Sequence, residues 1–220
     1  MALALILRLI LEQSLQNVLY CRVMARQKTF DEEALLARAM ELFWQQGYEA
    51  TSVRDLNDHL HIHSSSLYNT YGGKRDLYLA ALAAYRRVEY EETEARLAEP
   101  LPARETLARL FADLVDGLLA DDSRRGSFTL NAAVEMAARD AAVARQLEEH
   151  FADITRLLAS FLAAAQERGE LSDAHAPVEL AWFLLLNLYS LAALVKVGAS
   201  REQLDRIIRR NLHQGHRGNP

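Results

Sequence analysis

At 220 residues, half of them apolar and with only nine Gly and four Pro, the chain is long enough for one or two domains and too poor in breakers for long loops. The single cysteine, Cys21, excludes an internal disulfide framework and a cysteine-based metal site, and a formal charge of −5 suits a soluble cytosolic protein. No run of alternating β-branched residues reads as a strand, so an all-α protein is expected.

Ala2 to Leu11 is nearly continuous apolar sequence interrupted by Arg8. It lacks the basic start, unbroken apolar stretch and cleavage site of a secretory leader, and falls far short of the ~20 residues that span a bilayer. Residues 1–23 are therefore set apart as an N-terminal extension, expected to lie upstream of a natural start at Met24. The other reading is an amphipathic helix packed on the body or on a partner.

Glu33 to Trp44 has the apolar spacing of an amphipathic helix, closed by Gly47. Ser52 stands at an N-cap position with Asp55 three residues on. Val53, Leu56 and Leu60 then line one face of a second short helix. After His61-Ile62, the run Ser64-Ser65-Ser66 opens a third helix that ends near Thr70, stopped by Gly72-Gly73. Three short helices need a shared core, and Leu35, Ala39, Leu42, Phe43, Val53, Leu56, Leu60, Ile62 and Leu67 supply it.

This unit resembles the N-terminal domain of the TetR family of bacterial transcription regulators. The likeness rests on Ala39, Leu42-Phe43, Gly47-Tyr48, Thr51-Ser52-Val53, Asp55-Leu56, Ile62, Leu67-Tyr68, Tyr71, Lys74 and Leu77 at fixed spacing, over roughly a quarter of the chain. It implies a helix-turn-helix DNA-binding domain at 24–76, opened by the basic arm Met24-Ala25-Arg26-Gln27-Lys28, with a helical effector-binding and dimerisation domain at 77–214. Two positions depart from the family pattern. His61 stands where glycine is usual, which calls for a left-handed residue that His tolerates better than most. Ser64 stands where a basic residue is common, which leaves the operator sequence open.

On that resemblance the DNA-binding residues are Thr51, Ser52, Arg54, His63, Ser64, Ser65, Ser66, Tyr68, Asn69, Tyr71 and Lys74. The hydroxyls of Ser52 and Ser66, the phenols of Tyr68 and Tyr71 and the Lys74 ammonium suit phosphates, which fix register without reading sequence. Arg54, His63, Ser64, Ser65 and Asn69 are candidates for base edges, Arg54 being able to pair bidentately with guanine. From Met24 to Tyr78, six basic and eight acidic side chains leave a net charge of −2, so a shallow salt dependence is expected.

The body reads as a succession of helices: Leu77–Leu97, Glu105–Ala120, Phe128–Arg139, Val143–Arg168, Val178–Val197 and Arg201–His213. Leu180 to Val195 is apolar around its whole circumference, so it is expected to be buried on all sides, one of them against a second subunit. The seam would use Leu186, Tyr189, Leu204, Ile207 and Ile208, which is also how the family dimerises. A two-fold dimer would present two reading helices to a palindromic site. Tyr85, Phe111, Phe128, Asn131, Glu135, Trp182 and Tyr189 are the candidate lining of an effector pocket. Asn131 and Glu135, one turn apart on a mostly apolar helix, need polar partners there. Some relatives carry cysteine where this chain has Ser127, which disfavours thiol-based sensing.

The functional expectation is a cytoplasmic homodimeric DNA-binding regulator, a repressor released from a palindromic operator by a small molecule. The alternative is an effector-independent regulator. No enzyme is expected, because no phosphate loop, paired His-Glu or nucleophile–base spacing is present. No cofactor and no membrane partner are expected. A metal site at His59, His61 and His63 is disfavoured, because the triplet spans a helix end and a turn and its rings would diverge.

Overall fold

The computed structural model describes residues 32–214, with side chains through residue 210; the extension at 1–23, the arm carrying Arg26 and Lys28, and the Leu212 side chain lie outside these. The described residues form nine helices and no strand: α1 (Glu32–Gln46), α2 (Val53–Leu60), α3 (Ser64–Tyr71), α4 (Lys74–Leu97), α5 (Ala103–Ala120), α6 (Phe128–Met136), α7 (Ala141–Glu167), α8 (Pro177–Lys196) and α9 (Arg201–Gln214). Packing divides them into two units. One holds residues 32–87 together with Phe128–Leu147; the other holds Val88–Ser127 and 148–214. The three-helix head thus shares its unit with the first half of α4, all of α6 and the start of α7.

Within the head unit, Ala39, Leu42, Phe43, Leu56, Leu60, Ile62 and Leu67 are buried, while Leu35 and Val53 sit half-buried at its rim. The core extends through an aromatic chain. Phe43 meets Tyr78 edge-on at 5.1 Å, and Phe128 meets both Tyr78 and Tyr85 edge-on at 5.6 Å. Trp44 packs on Tyr85 at 5.2 Å. Edge-to-face pairs of this kind add about 0.5–1.5 kcal/mol each to the burial of their area. Tyr85 and Phe128, assigned from sequence to an effector pocket, are packing residues of this chain.

Helix α6 ends at Met136, three residues before the expected Arg139. The cause is local: the Met136 carbonyl accepts from both the Arg139 and Asp140 N–H groups at 2.9 Å, closing a turn. Asp140 then caps α7, its Oδ1 accepting from the N–H of Ala142 at 2.8 Å and of Val143 at 3.3 Å.

The body unit buries Leu107, Leu110, Phe111, Val115 and Leu118 of α5, which packs against α8 and α9, and Ile154, Leu158 and Leu162 of α7. From α8 it buries Ala181, Leu184, Leu185, Leu191, Ala192 and Val195. Within the single chain α8 keeps one face uncovered, the face expected to need a second subunit. Trp182, Phe183 and Leu186 are exposed at 47%, 42% and 66%, with Val178 and Val197 uncovered at either end. A helix apolar all round needs cover on every face, and among the described residues that cover is found on one. By length and composition alone α8 is long and apolar enough to cross a membrane.

Candidate nucleic-acid interface

Helix α2 begins at a reciprocal capping box. Ser52 Oγ accepts from the Asp55 N–H at 3.1 Å, and Asp55 Oδ2 accepts from the Ser52 N–H at 2.8 Å. These bonds with Ser52 hold the Asp55 carboxyl below the usual carboxylate range. The helix ends at His61, whose φ of 57° and ψ of 43° lie in the left-handed region, and the Ile62 N–H closes back on the Asn57 carbonyl at 3.1 Å. His61 therefore adopts the conformation for which glycine is the usual residue. Arg38 adds a hydrogen bond from its guanidinium to the His59 carbonyl, tying α1 to the end of α2.

His63 occupies the N-cap of α3 without a side-chain capping bond. Of the eight residues of α3, only Leu67 is buried; Ser64, Ser65, Tyr68, Asn69 and Thr70 are exposed, with Ser66 and Tyr71 half-buried. No charged side chain stands on this helix. The acids of the unit lie elsewhere, Glu32 and Glu33 in the first turn of α1 and Asp58 at 3.7 Å from Arg54. An exposed, neutral helix of hydroxyls, an amide and phenols can approach a polyanion even on a unit whose overall charge is slightly negative. It carries the donors and acceptors that base edges and phosphates require.

Sequence-assigned residues divide by where their polar atoms go. Arg54, His63, Ser65, Tyr68 and Asn69 are exposed on α2, on α3 and at its N-cap, as is Ser64, whose hydroxyl oxygen accepts from Asn57. Tyr68 is 53% exposed. Ser52 is exposed, with its oxygen engaged as the cap. Lys74 lies at the opening of α4 with its ammonium 4.1 Å from the centre of the Tyr48 ring, a cation–π contact that aims the charge. Tyr71 donates its phenol to the Glu32 carbonyl at 3.2 Å, and burial raises its pKa. Thr51 is a correction: it is fully buried, and its hydroxyl donates to the Gly47 carbonyl at 2.6 Å. Its role is to fix the turn before α2, since no atom of it reaches the outer surface.

Sequence reasoning missed Asn57 and Thr70 in this unit and gave Glu135 another partner. Thr70 is exposed on α3 beside Asn69, and Asn57 donates from Nδ2 to Ser64 Oγ at 2.6 Å. Glu135, assigned to the effector pocket, accepts instead from the Tyr48 N–H at 3.0 Å and the Glu49 N–H at 2.9 Å. Only the unexplained polarity of Glu135 on an apolar helix could have signalled this. Nothing local in the sequence says that its partner is a turn 87 residues away.

In the body unit, Phe111 is wholly buried and Trp182 is exposed. Tyr189 is half-buried, with its hydroxyl 3.2 Å from His150 Nε2; the same nitrogen lies 2.9 Å from Glu89 Oε2. Asn131 is half-buried in the head unit. Of the expected seam, Leu204 and Ile208 are buried within their own chain, Ile207 is half-buried and Leu186 is exposed. Ile207 lines a groove of about 530 Å³ together with Leu194, Val197, Gly198, Ala199, Gln203 and Arg206. Among the described residues, no group of three or more His, Cys, Asp or Glu is placed to hold a metal ion.

Comparison with known proteins places this geometry. The family model described as "Bacterial regulatory proteins, tetR family" matches residues 35–81, and one described as "Tetracyclin repressor-like, C-terminal domain" matches residues 103–210. The chain is 34% identical over 182 residues to the uncharacterized HTH-type transcriptional regulator YezE of Bacillus subtilis (strain 168), covering 82% of this chain and 94% of that protein. It is 33% identical over 183 residues to the HTH-type transcriptional repressor ComR of Escherichia coli (strain K12), covering 83% and 87%. Among solved structures it resembles a cysteine mutant of the TetR family transcriptional regulator CifR complexed with 26-bp double-strand operator DNA. There the TM-score is 0.77 and the identity 30%, over 86% of this chain and 98% of that one. The reduced form of Escherichia coli NemR, 17% identical with a TM-score of 0.75 over 81% of this chain and 93% of that one, shares the fold.

Proposed function

Because the chain belongs to the TetR family of bacterial regulatory proteins, we propose that it is a cytoplasmic homodimeric repressor that holds a palindromic operator and is released by a small-molecule effector. The observation that carries the DNA-binding part is α3, of which only Leu67 is buried and five of eight residues are exposed, with no charged side chain on it. A short helix left so open on a well-packed unit supports a role in meeting something outside the chain, and the operator complex of CifR supports duplex DNA as that partner. Repression is supported by the name of ComR.

Homodimerisation is supported by the uncovered stripe Val178, Trp182 and Leu186, spaced by four along α8, with Phe183 beside it. Exposed apolar patches of this kind mark association sites in soluble proteins. A second copy would cover the stripe and, by two-fold symmetry, set two reading helices on half-sites about one helical turn apart. For the effector, the polar groups suited to a headgroup inside the body unit are Tyr189, His150 and Glu89, against the ring of Phe151, which meets Tyr189 edge-on at 5.4 Å. A coupling of roughly 1–3 kcal/mol between the sites changes operator affinity about 5–150-fold.

Selection of bound duplexes from a random pool, followed by a small-molecule screen for release, tests the reading. A palindromic consensus and a releasing compound are expected. Absence of any preferred duplex at low salt defeats the DNA-binding assignment, and a preferred duplex that no compound releases leaves an effector-independent regulator. Sedimentation of Leu186→Arg checks the seam: a monomer is expected where the parent chain is a dimer.

A further inference from the structure

The stretch from Glu135 to Asp140 grips the reading element at both of its ends. At the entrance, the Glu135 carboxylate accepts one bond from each of two successive backbone N–H groups, Tyr48 at 3.0 Å and Glu49 at 2.9 Å. At the exit, Asp140 accepts two parallel bonds from Arg75 at the start of α4, Nε to Oδ2 at 2.6 Å and Nη2 to Oδ1 at 2.9 Å. Arg139 adds an ion pair to Glu49 at 3.7 Å. Everything that the interface uses on α2 and α3, residues 51–71, lies between these two attachment points, and all of these groups belong to one unit.

The entrance bond is built in detail. Gly47 has a φ of 85°, and a Cβ added there would come within 3.0 Å of both Glu135 carboxylate oxygens. The left-handed backbone favours glycine here, and any side chain would also press on the carboxylate and push it off its two N–H partners. Thr51 locks the far side of the same turn through its buried hydroxyl on the Gly47 carbonyl. The exit bond is an Arg–carboxylate fork, the geometry in which both direction and distance are fixed. The guanidinium of Arg75 holds the Asp140 carboxyl below the usual carboxylate range.

Resting on the assignment of α3 as the DNA-reading helix, we propose that Glu135 and Asp140 are positioning residues for operator recognition, a clamp that sets the pitch of α2 and α3 without touching DNA. Base reading depends on donors and acceptors being held to within a fraction of an ångström, whereas attraction to the phosphate backbone tolerates a loose head. A slackened clamp therefore costs discrimination rather than adhesion. Glu135 and Asp140 act through the turn at Tyr48-Glu49 and through Arg75; neither is a DNA contact.

The test uses the full chain, a duplex selected by the parent protein from a random pool, and a scrambled duplex of equal length. Two variants isolate the two ends. Glu135→Ala frees the Tyr48 and Glu49 N–H groups. Asp140→Asn keeps an N-cap for α7, since Asn caps as well as Asp, but removes the charged fork to Arg75. In each variant the ratio of selected to scrambled affinity is expected to fall by about tenfold, the worth of one misplaced bidentate base contact. Scrambled-duplex affinity and the folded fraction at the assay temperature stay unchanged. Amide exchange at Tyr48 and Glu49 speeds up in Glu135→Ala and not in Asp140→Asn.

An unchanged ratio in both variants overturns the clamp while leaving DNA reading intact. So does a parallel fall of selected and scrambled affinity, which marks a merely structural role. A parent protein that prefers no duplex removes the DNA-reading premise and the clamp with it.

Discussion

Asn57 of α2 donates from Nδ2 to the Oγ of Ser64, the first residue of α3, at 2.6 Å. The two helices meet through a tight turn in which His61 is left-handed, so this bond fixes where the reading helix starts. It also fixes the Ser64 hydroxyl, which would otherwise rotate freely at the surface. Replacing Asn57 by Ala is expected to lower stability by about 0.5–1.5 kcal/mol, the net worth of one such hydrogen bond. On the proposal that α3 reads the operator, it should also broaden base preference at one operator position. Repeating the duplex selection with the variant checks this, and an unchanged consensus would show that the bond serves the fold alone.

Phosphate-directed and base-directed residues should separate in experiment. Lys74→Ala removes a cation whose direction is set by the Tyr48 ring, and is expected to weaken binding to all duplexes alike. The salt dependence, as the slope of log affinity on log salt, should fall by about one. Tyr68→Phe should act in the same sequence-blind way. Arg54→Ala and Asn69→Ala should instead change which base is preferred. Tyr71→Phe is expected to cost less DNA affinity than Tyr68→Phe, because the Tyr71 hydroxyl already donates to the Glu32 carbonyl. Affinities of the five variants on selected and scrambled duplexes across a salt series decide the division.

Much of this head was legible because its signals are local. The Ser52–Asp55 spacing marks a capping box, Leu56 and Leu60 mark one helix face, and Gly72-Gly73 marks a stop; each constrains atoms within a few residues. What was not legible depends on distant partners. Glu135 read as a polar group awaiting a ligand, whereas its partners are two N–H groups on the turn after α1. Tyr85 and Phe128 read as pocket lining, whereas they pack edge-on with Trp44, Tyr78 and each other inside the head unit. An aromatic on an apolar helix face has the same pattern in either case, and only the packing tells them apart. On α8 the pattern says that cover is needed. A helix apolar all round states that every face needs a neighbour, but not which chain provides it.

His61→Gly tests the turn between α2 and α3. A residue with a Cβ pays for the left-handed conformation, φ 57° and ψ 43°, which glycine adopts without that clash. Glycine loses more backbone entropy on folding, so the net gain is smaller than the clash alone, about 0.5–1 kcal/mol. A higher melting temperature is expected, with the operator preference unchanged because the His61 ring makes no hydrogen bond that positions α3. A lower melting temperature would mean that the imidazole contributes more than its backbone costs.

Strong acid should weaken the exit end of the clamp. The Asp140 carboxyl is held below its ordinary range chiefly by hydrogen bonding from Arg75, assisted by the N–H groups of Ala142 and Val143, with Asp76 also 3.6 Å from Arg75. A carboxyl with a depressed folded-state pKa contributes stability that is fully present above its unfolded pKa of about 3.9 and is lost as pH falls through the folded value. Asp140→Asn removes the titrating group while keeping the cap. The difference in melting temperature between the parent chain and Asp140→Asn should therefore be constant from neutral pH down to about pH 5 and shrink below about pH 4. The group is near the surface, so screening by salt reduces the effect at every pH. A difference that persists undiminished at the acid end would mean that the fork to Arg75 does not depend on the charge of Asp140, and that the carboxylate contributes as a shape rather than as an anion.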